Sequence, residues 1–214
     1  CGLWDGGWYG HHASAFVHGA GGVTYSGMSL AASQGEPHLG GNIVEGDAYT
    51  HCPRVWDYVL ERFGVRSALD LGSGRGHAAH YMAKKGVSVI AVDGLRDNVV
   101  SALHPTVQHD LTNGPFSTDV DFVHCQEVAE HIGEEHADDF VRSLASGRVV
   151  LLTHAVPGQG GHHHVNCQDA DYWINIMAQA GYRVLEEDTN RIRKIAAEEG
   201  AIYMAKTGID RKSV

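Results

Sequence analysis

The sequence predicts an α/β protein built on a parallel sheet with helices on both faces, and three observations carry the prediction. From residue 53 onward, short apolar runs rich in β-branched residues alternate with helix-length segments, as in "RSALDL", "VSVIAVD", "VDFVHC" and "RVVLLTH". The 214 residues are 43% hydrophobic and 20% charged, enough apolar material to bury such a sheet on both sides. Finally, "DLGSGRGH", Asp70 to His77, places three glycines where the first run turns into a helical segment.

Residues 1–46 are rich in Gly, His, Ser and Ala and have no sustained period, so an irregular arm or lid with short strands is expected there. In "PRVWDYVLERFG", Val55, Trp56, Val59, Leu60 and Phe63 fall at helical spacing, with Pro53 suited to the first turn and Gly64 to the stop. A strand then leads into the glycine loop, a helix from His77 closed by Gly86, and the strand ending at Asp93. A helix near Leu95–Leu103 and strands at Thr106–His109 and Val120–Cys125 follow. Next come a helix near Glu134–Leu144, the strand Arg148–His154 and a helix around Ala170–Ala180. The chain ends with a strand at Tyr182–Glu187, a polar helical piece near Asn190–Glu198 and a strand at Ala201–Lys206. Joined only by that polar piece, the last two strands suit an antiparallel pair at the sheet edge.

A formal net charge of −10 argues against a polyanion as main partner, because nucleic-acid binding depends on neutralising phosphates with Lys and Arg. Cys1, Cys52, Cys125 and Cys167 form no paired or dense framework, which points to a reducing, cytoplasmic setting. No run of about 18 apolar residues suggests a membrane span, and the start lacks the basic-then-apolar layout of a signal segment.

Ligands of open parallel sheets collect beyond the carboxyl ends of the strands. Gly72, Gly74 and Gly76 lie at that edge, where a ligand can approach bare main chain, and Asp93 ends the next strand, where an acid can accept ribose hydroxyls. A nicotinamide dinucleotide fits this much. However, "GSGRGH" is GxGxG, and His77 stands where the dinucleotide fingerprint has its third small residue. An adenosine ligand without a pyrophosphate is the better candidate.

"ALDLGSGRGH", "VIAVDG", "VQHDL" and "DFVHCQEVAEHI" resemble, in order and spacing, the cofactor motifs of class I S-adenosylmethionine-dependent methyltransferases. "EVAEHI" is similar to a motif of members that methylate small molecules, lipids or sugars. The resemblance implies a Rossmann-like seven-stranded sheet with a reversed last strand, a methyltransferase domain over 47–214, and S-adenosylmethionine as cofactor. It also implies that Asp70, Gly72, Ser73 and Gly74 border the methionine part of the cofactor. Asp93, with Gly94 beside it, would hold the ribose, and Asp110 and Leu111 would meet the adenine. Gln126 and Glu127 would flank the methionine portion, with His131 pointing toward the acceptor.

A sulfonium methyl is already activated, so a hydroxyl acceptor mainly needs alignment and loss of its proton. Histidine is the natural base near neutral pH. His131, His154 and the loop His162–His164 compete for that role, with His131, His164 and His154 as the named candidates. The same loop is also a candidate for a divalent metal, with Glu127, His154 or Asn166 adding ligands. Adjacent histidines of an extended segment point to opposite faces, and no metal is expected. No Asn-Pro-Pro-aromatic segment and no Pro-Cys nucleophile is present, which makes nucleic acid an unlikely substrate. The expected acceptor is a small molecule or a sugar hydroxyl, with methylation of nucleic acid or protein, or a non-catalytic adenosyl-ligand binding module, as the alternatives, and the N-terminal arm is a candidate lid over the acceptor.

Overall fold

A computed structural model describes residues 24–25, 28–29, 35–40, 49–207 and 209–213. The arm therefore enters only in part. It contributes the short antiparallel pair β1 (Thr24–Tyr25) and β2 (Met28–Ser29) and a single 3-10 turn at Pro37–Leu39. The rest of the expected arm lies outside the described residues.

Five parallel strands form the centre of a Rossmann-like α/β sheet: β3 (Ser67–Leu71), β4 (Ser88–Asp93), β5 (Thr106–Gln108), β6 (Val120–Cys125) and β7 (Gly147–Leu152). Two more strands, β8 (Tyr182–Val184) and β9 (Ile209–Ser213), lie beyond β7, and the spatial order is β5-β4-β3-β6-β7-β9-β8. β9 runs antiparallel to both neighbours, with Val150 opposite Arg211 and Arg183 opposite Lys212. The order reverses direction at β3, so β4 and β6 leave it on opposite sides. That is where such sheets open a crevice.

The helices are α1 (Pro53–Phe63), α2 (His77–Lys84), α3 (Arg96–Ser101), α4 (Ala137–Leu144), α5 (Ala170–Gln179), α6 (Glu186–Glu199) and α7 (Ile202–Thr207). Alternate strand residues face opposite ways and build two cores. Leu69, Leu71, Val123, Val150 and Leu152 pack with Phe140 and Leu144 of α4 and Trp173 and Met177 of α5. Ala68, Phe122, Val149 and Leu151 pack with Val55, Trp56 and Val59 of α1, Met82 of α2 and Ile192 and Ala196 of α6. Burial on both faces explains why these strands read as continuous apolar runs rather than alternating ones.

The expected strand at Ala201–Lys206 is a correction: those residues form α7. Ala201 and Met204, three apart, are both fully buried, a helical spacing that the β-favouring Ile202 and Tyr203 obscured. Polar "IDRKS" takes the strand position instead, chosen by the open edge of β7 and not by its own propensity. The expected strand at Tyr182–Glu187 likewise stops at Val184, because Glu186, Glu187 and Asp188 form the acidic first turn of α6.

Candidate active site

The three glycines of the loop after β3 have φ of +71°, +54° and +73° at Gly72, Gly74 and Gly76. Side chains rarely adopt this left-handed region, so the path of the loop itself requires glycine. At Gly72 there is also no room: an added Cβ would run into the side chain of Val128. The loop amides are engaged within the protein. Gly72 and Ser73 both donate to the Val92 carbonyl at 2.9 Å, Gly76 donates to Ser73 at 2.8 Å, and Gly74 donates to Asp93 Oδ2 at 2.8 Å. A row of committed amides is a poor pyrophosphate cradle, which favours an adenosine ligand that lacks one.

Asp93 is 8% exposed, and its Oδ1 accepts from Leu95 N and Asn98 Nδ2, each at 2.9 Å. Three bonds leave about one of its four acceptor sites open. The expectation that it takes both ribose hydroxyls thus narrows to one hydroxyl, with the second sharing an occupied oxygen. Burial pushes the Asp93 carboxyl up to about 6, outweighing the Asn98, Gly74 and Leu95 hydrogen bonds that pull it down.

Asp70 is turned inward. Its Oδ2 accepts from Ala79 N at 3.0 Å, capping α2, and its Oδ1 lies 2.7 Å from His124 Nδ1. Trp56 Nε1 donates to the other nitrogen of His124 at 3.3 Å, so the His124 proton sits on Nδ1 and faces Asp70. This buried relay fixes the floor of the glycine loop.

Just beyond β5, Asp110 accepts from Thr112 N at 2.9 Å and lies 3.2 Å from His38 Nε2. Burial raises its pKa, but the Thr112 and His38 contacts win and hold it below the usual carboxylate range. Leu39 lies against Gly94, where an added Cβ would meet its side chain. The described part of the arm thus lies against the Gly94 and Asp110 end of the crevice. His38 also lies 6.5 Å, ring to ring, from His163.

On the other side, the loop after β6 turns sharply at Glu127, whose φ is +54° and whose N–H donates to Thr153 Oγ1 at 3.0 Å. Val165 and Asn166 both donate to the Glu130 carbonyl, at 2.9 and 3.0 Å, and these bonds bring the histidine loop against the β6 turn. As a result the rings of His131 and His164 meet edge to face with centroids 5.1 Å apart. Burial and neighbouring His164 pull His131 down to about 3, and burial lowers His164 as well. His154 stands apart: it is 1% exposed and packs 5.9 Å from the Trp173 ring.

Two unsatisfied polar groups in the crevice suit an adenosyl amino acid. Ser73 Oγ and Gln126 Nε2, both among the expected cofactor residues, are enclosed without a protein partner. A ligand's amino and carboxylate groups would satisfy them, and such orphaned groups are rare without a reason. Sequence reasoning missed Asn98, Leu39 and His38. Asn98, one helical turn into α3, was readable in principle; the two arm residues carry no local signal.

A Rossmann-like sheet with this loop and this acid defines the class of adenosyl-binding transferases. Residues 47–187 match the family described as "Methyltransferase domain", and the chain belongs to that family. The chain matches no curated protein. A SAM-dependent methyltransferase from Archaeoglobus fulgidus shares the fold with a TM-score of 0.55 at 18% identity, over 79% of this chain and 96% of that one. A putative sarcosine dimethylglycine methyltransferase from Galdieria sulphuraria gives 0.51 at 14% identity, over 75% and 84%. The protein is an enzyme, a methyltransferase that uses S-adenosylmethionine. No helix among the described residues is long and apolar enough to cross a membrane.

Proposed function

We propose that the protein methylates a hydroxyl of a small molecule or sugar, and that the His131–His164 pair draws off the hydroxyl proton. The reading assigns the glycine loop, Gln126 and Glu127 to the methionine part of the cofactor, Asp93 to the ribose, and Asp110 and Leu111 to the adenine. The observation that carries it is the pair's position: two imidazoles lie against the turn that also presents Gln126 and Glu127. When bound, the cofactor supplies an activated methyl, so the protein's main task is alignment, worth about 7–11 kcal/mol in favourable cases.

His164 is the member of the pair best disposed to act on an acceptor. Its Nδ1 lies 3.2 Å from the Gln159 carbonyl, which places the proton there and leaves the lone pair on Nε2. A cytoplasmic setting fits Cys52, Cys125 and Cys167, all free thiols. The acidic balance favours a small acceptor over nucleic acid.

The test offers S-adenosylmethionine with panels of hydroxyl, amine and nucleic-acid acceptors and follows release of S-adenosylhomocysteine. Release with small hydroxyl compounds is expected, and release only with amines or nucleic acid contradicts the reading. His164→Ala should lower turnover about 10²-fold, the lower end for loss of a proton-transfer group, with S-adenosylhomocysteine affinity unchanged.

A further inference from the structure

Beside the expected cofactor residues lies a set of electron-pair donors that the methyl-transfer reading leaves incomplete. Glu130, His131 and His164 each offer one ligand atom, and these atoms all lie within 4.8 Å of one another. Glu130 is 1% exposed, and its Oε2 is enclosed with no partner in the protein. A carboxylate oxygen left so costs about 1–3 kcal/mol or more. His131 Nδ1 is likewise enclosed and unpartnered, while the ring's other nitrogen bonds the backbone at His163. In His164 the Gln159 carbonyl holds Nδ1, leaving Nε2.

Each imidazole thus has its far nitrogen fixed by main chain, the outer arrangement that orients metal-ligating histidines. The Glu127 carboxyl hydrogen-bonds that of Glu130, adding a second acid to the same place. Two carboxyl groups and two imidazole lone pairs converge here, and the charge that balances such a set is a cation.

We propose that Glu130, His131 and His164 bind a divalent cation that holds the acceptor's hydroxyl oxygen, reversing the expectation of no metal. Two imidazole nitrogens and one carboxylate suit Zn²⁺ or Mn²⁺ and leave positions for an oxygen ligand. Bond lengths of about 2.0–2.2 Å put ligands on opposite sides of one ion up to about 4.4 Å apart, close to the span of these atoms. The proposal rests on the hydroxyl-methylation reading and changes its base: with both imidazole lone pairs on the cation, the hydroxyl proton goes to Glu127. Cation binding at Glu130 displaces the proton its carboxyl shares with Glu127, and the Glu127 carboxylate so freed takes the proton of the bound oxygen. That oxygen forms the O–CH₃ bond as the S–CH₃ bond breaks, with that electron pair staying on sulfur.

The test titrates the full chain, stripped with chelator, with Zn²⁺ and separately with Mn²⁺ by calorimetry. One equivalent per chain is expected for wild type, with affinity falling at least 10²-fold in His164→Ala and in Glu130→Gln. S-adenosylhomocysteine should bind wild type and His164→Ala equally well. His164 is only partly buried, so that variant remains informative where Glu130→Gln does not fold. Equal metal binding by wild type and His164→Ala, or full turnover by the stripped protein, overturns the cation site and leaves direct proton uptake by imidazole standing. Failure to bind S-adenosylhomocysteine would instead count against the methyl-transfer reading itself.

Discussion

Asp93→Asn is expected to lower affinity for S-adenosylhomocysteine by about 10–10²-fold, because one hydrogen bond to a charged group contributes about 1.5–3 kcal/mol. The native carboxylate has donors on both oxygens: Gly74 N on Oδ2, and Leu95 N with Asn98 Nδ2 on Oδ1. An amide has only one oxygen, so in either orientation its NH₂ faces a donor. It would push away the glycine loop or the start of α3 and withdraw the acceptor meant for the ribose. The protein should nevertheless remain folded. Burial raises the Asp93 pKa from 3.8 to about 6, so the native state holds this proton more tightly than the unfolded chain. The stability from that preference is full below about pH 4 and is lost as pH rises through about 6, roughly 3 kcal/mol in all. Near neutrality the substitution removes that burden, offsetting the lost hydrogen bond.

Ligand binding runs with the opposite sign. A ribose hydroxyl donates to the ionised carboxylate, so wild-type affinity should hold above about pH 6 and fall roughly tenfold per unit well below it. The variant should show no such dependence. Calorimetric titration of both proteins between pH 5 and 8 checks this on the order-of-magnitude scale of the pKa shift. A flat wild-type profile would remove Asp93 from the ligand.

Gly72→Ala is expected to destabilise the fold by about 2–5 kcal/mol. Two independent terms contribute: a side chain at φ +71°, costing about 1–2 kcal/mol, and overpacking against Val128, costing about 1–3 kcal/mol. They separate in a double mutant. Adding Val128→Ala should recover the packing part relative to the Val128→Ala single variant and leave the backbone part. Urea unfolding of the four proteins measures it, and a Gly72→Ala loss below about 0.5 kcal/mol would contradict the account. The glycines of this loop are therefore explained first by backbone shape, and the ligand site is a consequence of that shape.

Much of the architecture was legible because its signals are local. β3, β4, β6 and β7 are compact, largely apolar runs, and each glycine of the loop answers to its own φ. The chain's end was not, since "IDRKS" becomes a strand only by pairing with β7, while "AIYMAK" carries β-favouring residues on a helix. At the site, Asp93 could be read from its place at the end of β4, but its three protein partners could not. Glu130 carries no signal of its own within "EVAEHI". Its place beside His164 depends on the Val165 and Asn166 amides reaching the Glu130 carbonyl, a contact with no trace in the local pattern. The same holds for His38 and Leu39, which reach Asp110 and Gly94 from a segment without periodicity.

The most direct measurement is a crystal structure of the protein with S-adenosylhomocysteine. The account predicts a ribose hydroxyl on the Asp93 carboxylate, adenine beside Asp110 and Leu111, and the sulfur directed toward His131 and His164. A nucleoside bound away from Asp93, or a sulfur pointing away from the two histidines, would contradict it.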